Sequence, residues 1–91
     1  MLISSHGYDE MMYDGIAFRD TIQGVAEGIV VEDYPEYYKG ACVLVLQKDR
    51  QGQPIHVVWG IPKSDPSYAV LVTAYRPDPE RWEPDFVRRK I

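Results

Sequence analysis

Six consecutive apolar residues, Ala41 to Leu46, constrain this chain more than any other feature. Both parities of the run are apolar, so a strand here has no wet face and belongs in the middle of a sheet, covered on both sides. The run is far short of the roughly 18 apolar residues that cross a bilayer. With 91 residues, a chain buries only about 60–65% of its unfolded surface, which supports one small core.

The flanking elements follow from periodicity. Ser4 or Ser5 caps an expected first helix that runs to about Tyr13, and Asp14-Gly15 supplies the turn that ends it. Phe18, Ile22, Val25, Ala26 and Ile29 then fall on one face of a second helix, closed by Gly28. Beyond it β-branched residues take over. Ile29 to Tyr34 predicts a strand stopped by Pro35, and Ala41 to Gln47 the central one. Ile55 to Ile61, between Pro54 and Pro62, predicts a third, and Tyr68 to Arg76 a fourth. Lys48 to Gln53 is polar and contains a glycine, so the second and third strands form a hairpin. The expected fold class is α+β, with two N-terminal helices packed on a four-stranded, mainly antiparallel sheet. Its core would hold Ile22, Val25, Leu44, Val57 and Val70 together.

Residues 1–77 read as a single domain and 78–91 as a tail packed on it or on a partner. Asp78-Pro79 is a helix-start signature that Pro84 interrupts. The tail reads as an aromatic staple, Trp82 and Phe86, laid over the sheet with Arg88-Arg89-Lys90 solvated. The alternative is a docking segment for a second subunit.

Charge narrows the function classes. Residues 1–40 hold eight acids against Arg19 and Lys39, and residues 41–91 hold eight bases against six acids, within a net charge of −4. An acidic first half argues against a broad nucleic-acid footprint, because phosphates are held by Lys and Arg. A small basic site on the second half is still compatible with RNA. One cysteine, Cys42, leaves no disulfide framework and no multi-thiolate zinc site. No basic start followed by an apolar stretch marks a secretory leader, so a cytoplasmic protein without a membrane role is expected.

The candidate chemistry centres on His56. Its imidazole suits proton transfer near neutral pH, and on its strand it shares a face with Val58 and Gly60. A symmetric turn around Ser64-Asp65 would set it near Thr73, with Tyr75 one pair further. A histidine, a hydroxyl and a phenol on one face would suit phosphodiester chemistry. The plainer alternative is a strand histidine satisfied by a neighbouring hydroxyl. Tyr34, Tyr37, Tyr38 and Lys39 form an aromatic-basic patch, but Glu32, Asp33 and Glu36 surround it, and it reads as the rim of a small core. His6, His56 and Cys42 show no metal-ligand spacing, and no cofactor is expected.

Several segments resemble the small bacterial family catalogued as domain of unknown function 4258. They are His6, Gly15-Ile16, Gly28 to Pro35, Cys42 to Leu46, Gly52 to Val58 with its strand histidine after Gly-x-Pro, and Leu71 to Pro77 with Val-Thr-Ala-Tyr-x-Pro. In element order and size that family is similar to RelE/ParE-like toxins, many of which cut RNA. The resemblance implies a toxin-type ribonuclease, active or catalytically silent. In it His56 would be the acid/base, with Thr73 and Tyr75 orienting substrate, Arg76 stabilising phosphate charge, and His6 as a further site residue. It also implies a small antitoxin-like partner, or a second copy. Members of the family typically carry two arginines on the first helix, where this chain has Glu10 and Asp14; acids there would repel phosphate. That departure favours the alternative function, a non-enzymatic protein-interaction module.

Overall fold

The computed structural model describes residues 2–3, 9, 11–12, 14–36, 40–63 and 69–90. Its centre is a meander of β2 (Ile29–Tyr34), β3 (Cys42–Lys48), β4 (Pro54–Gly60) and β5 (Val70–Tyr75), each antiparallel to the next. A two-residue β1 (Leu2–Ile3) adds parallel to β5, giving the order β1-β5-β4-β3-β2. The β3–β4 hairpin is tied by Asp49, whose Oδ1 accepts the Gln51 and Gln53 amides at 2.9 Å each, with Gly52 at φ 79°. Pro54 opens β4, where a strand tolerates the missing N–H.

The two faces of the sheet carry different cargo. Val45, Ile55, Val57, Trp59, Leu71 and Ala74 line the inner face and pack with Met11 and Ile16, while Phe18 and Val43 lean against them. Leu44, Leu46, His56, Val58, Thr73 and Tyr75 alternate onto the outer face. Leu44 and Val57 are both buried, but in register they point to opposite sides, so Leu44 stands apart from the core that holds Val57.

The expectation of two helices packed on the sheet is overturned. Among the elements described in full, one six-residue helix, α1 (Phe18–Gln23), and a 3-10 turn, Val25–Glu27, accompany what is mostly sheet. The expected first helix, Ser4 or Ser5 to Tyr13, lies largely outside the described residues. The second stops early, and although Phe18 leans on the core, Ile22 and Val25 face outward, 38% and 42% exposed. Two glycines explain the stop. A Cβ on Gly24 would stand 2.9 Å from the Lys48 carbonyl, and one on Gly28 would overlap Val45 Cγ1. The chain therefore presses its backbone against β3, where a longer helix would need room for side chains. Gln47 explains the rotation: buried on the inner face of β3, it donates Nε2 to the Thr21 carbonyl at 2.7 Å and accepts Trp59 Nε1 at 2.8 Å. A polar anchor in the core draws Asp20 and Thr21 inward and turns Ile22 out.

Candidate functional site

The outer face is closed by the C-terminal segment, a strap formed by residues 78–90. Asp78 nucleates it, accepting the Arg81 and Trp82 amides on its carbonyl and the Glu80 amide on its carboxylate. The chain then doubles back: Glu83 N donates to Arg88 O, Lys90 N to Arg81 O, and Trp82 pairs with Arg89. Asp85 holds the tip through the Val87 and Arg88 amides. At that tip Phe86 takes φ 56°, a left-handed conformation that costs a residue with a Cβ about 1–2 kcal/mol.

The strained residue sets its carbonyl over His56. Nε2 lies 2.7 Å from Phe86 O, and a carbonyl only accepts, so Nε2 carries the proton. Trp82, 4% exposed, meets the imidazole edge-on at 4.5 Å, and Tyr75 does so at 5.5 Å. His56 itself is wholly buried, and its Nδ1 has no hydrogen-bond partner among the described residues. Burial pushes its pKa down; the Phe86 bond opposes that, Arg89 adds to it and Glu32 offsets Arg89. The ring is accordingly neutral at pH 7. Arg89 also stacks over Trp82 at 4.5 Å and donates Nη2 to Glu32 on β2 at 2.6 Å. That bond holds the Glu32 carboxyl below its usual range and raises the Arg89 guanidinium.

The sequence-derived candidates separate in space. His56 stands directly opposite Tyr75, and Thr73 opposite Val58, because a bulge between Val58 and Trp59 shifts the register that a symmetric turn implies. His56, Thr73 and Tyr75 do share one face. Arg76 leaves them: its guanidinium reaches Asp49 at 2.9 Å and the Pro54 carbonyl at 3.4 Å, at the β3–β4 turn. The cation beside His56 is Arg89, which the sequence reading left in solvent. His6 lies outside the described residues, as do Glu10 and Tyr37 to Lys39. Asp14, where the resemblance suggested arginine, accepts the Arg76 amide on Oδ2 at 2.8 Å. An arginine there has no acceptor to offer, so this acid has structural work.

A concavity of about 380 Å³ lies between the start of α1 and the β3–β4 turn. Its arginines are already matched, Arg50 to Asp20 at 2.8 Å and Arg76 to Asp49. Among the described residues no three His, Cys, Asp or Glu side chains converge to hold a metal ion, and no helix is long and apolar enough to cross a membrane. The Cys42 thiol is pushed up by burial, which keeps it a weak nucleophile.

The chain belongs to the family described as Domain of unknown function (DUF4258), whose model matches residues 3–76. No curated protein and no solved structure matches it. The strap lies beyond the matched stretch, so the family description covers the sheet and not its outer cover.

Proposed function

We propose that this chain is a non-enzymatic protein-interaction module that takes a strand of another protein on the open edge of β2. The observation that carries this reading is the edge itself. β2 ends the sheet, and its Ile29 and Val30 are 55% and 60% exposed. Edge strands are templates for main-chain pairing, and exposed apolar side chains give an added strand something to cover. The closed state of His56 supports the same reading, since an acid/base must reach the proton it moves. The test has two arms. Wild type and His56→Ala should both leave RNA intact, and Ile29→Asp/Val30→Asp should lose a cross-linked cellular partner while keeping its melting temperature. Cleavage that depends on His56 would overturn the reading.

One observation favours a second reading, a toxin-type ribonuclease. His56 and Tyr75 form a direct cross-strand pair, a proton carrier beside a phenol, which a lifted strap would open. Trp82→Ala/Arg89→Ala would loosen the strap; RNA cleavage by that variant, abolished by adding His56→Ala, would establish it.

A further inference from the structure

The edge of β2 has a charge as well as an opening. We infer that the strand it takes is a basic, extended segment of a different protein; this rests on the interaction-module reading. Residues 27–36 hold Glu27, Glu32, Asp33 and Glu36 and no base. Glu32 is matched by Arg89 from the outer face. Asp33 sits opposite Val43 on the inner side, and Glu27 and Glu36 lie exposed at the two ends of the strand. Among the described residues no cation pairs with any of these three.

This pattern selects among occupants. A second copy pairing edge to edge would bring the same acids from both sides into one seam whose described cation, Arg89, is already matched to Glu32, and like charges across strands destabilise the pairing. The bulge between Val30 and Glu32 further roughens the edge against indiscriminate pairing. A strand alternating apolar and basic residues meets the opposite conditions. Its apolar side chains cover Ile29 on the outer side, its cations answer Asp33 on the inner side, with their methylene stems over Val30, and reach Glu27 and Glu36 at the ends, and its backbone takes the open row of hydrogen-bonding groups. Electrostatic matching of this kind speeds encounter and excludes wrong partners.

The experiment uses the full chain and three synthetic probes: an alternating valine–lysine peptide, its valine–aspartate counterpart, and the valine–lysine peptide interrupted by proline. Amide hydrogen exchange of residues 29–34, read by NMR, reports occupancy of the edge. The valine–lysine peptide should protect these amides about tenfold more tightly than the aspartate one, and the margin should shrink as salt rises. The proline peptide should not protect them. Glu27→Lys/Asp33→Lys/Glu36→Lys should reverse the preference, which nonspecific attraction to a net-acidic protein cannot do. Equal protection by both charged peptides overturns the basic-partner inference and leaves the docking reading standing. Protection by neither overturns docking at this edge altogether.

Discussion

The inner and outer faces of the sheet are both covered, by opposite means. The inner face is sealed by shape: Ile55, Val57, Leu71 and Ala74 are inaccessible, and apolar side chains meet them. The outer face is sealed by a few point contacts, a carbonyl on His56, an indole on its ring and a guanidinium on Glu32. Area-based cover is insensitive to pH and salt, whereas cover by titratable and charged groups responds to both. One sheet thus carries a permanent face and a conditional one.

Breaking each face separately should expose the difference. Leu71→Ala deletes methyl groups from a site with no solvent access, and a loss of about 2–5 kcal/mol in denaturant unfolding is expected. Trp82→Ala removes a larger side chain, yet the strap can detach while the sheet persists, so its global cost should be the smaller of the two. Exchange at Glu83 to Lys90 should rise to unprotected rates, with β4 still protected. Equal global losses would show that strap and sheet unfold as one unit.

Acidification tests the conditional face. Burial holds the His56 pKa below its usual value, so between the folded pKa and about 6.5 the unfolded chain binds the extra proton. The stability that the neutral ring contributes is complete above about pH 6.5 and falls as pH drops below it, by at most about 1.4 kcal/mol per pH unit. Nε2 is already engaged with Phe86, so the incoming proton goes to Nδ1, which has no acceptor among the described residues. Of the neighbours, Glu32 favours the cation and Arg89 opposes it, while Tyr75 and Trp82 contact the ring without charge at these pH values. His56→Gln keeps an N–H donor and does not titrate. Its stability should lose this slope below about pH 6.5 in chemical denaturation; an unchanged slope would assign it to another group.

The sheet was legible in the sequence because its signals are local. Alternating β-branched residues, bracketing prolines and the Asp49-to-Gly52 turn place β2 to β5 within a residue or two. The helical stripe misled at Ile22 and Val25 because periodicity records which face is apolar and not which face finds a partner. Gly24 and Gly28 allow contact by backbone, and Gln47 pulls the polar side inward. The site was less readable still. The register of His56 depends on a bulge, which alternation cannot reveal, and the group above it is a main-chain carbonyl, which every residue owns. Arg89 and Glu32 are 57 residues apart, beyond any local spacing rule.

The smallest expected effect belongs to that pair. Arg89 is 61% exposed and Glu32 33%, so water and salt screen their attraction, and such pairs contribute about 0–1 kcal/mol. The guanidinium also lies on the Trp82 ring, an exposed cation–π contact of about 0.5–1 kcal/mol. Arg89→Gln removes both; Glu32→Gln removes the charge of one partner and leaves the stacking. Faster exchange at the strap amides is therefore expected in the order wild type, Glu32→Gln, Arg89→Gln, with global unfolding nearly unmoved. A double-mutant cycle should return a coupling under about 1 kcal/mol that shrinks as salt is raised. Were Arg89→Gln instead as damaging to the strap as Trp82→Ala, charge and not the buried indole would be holding the outer face shut. Weakening Glu32 would then free the strap and strip the β2 edge of an acid in one step, coupling strap and edge through the pair that joins them.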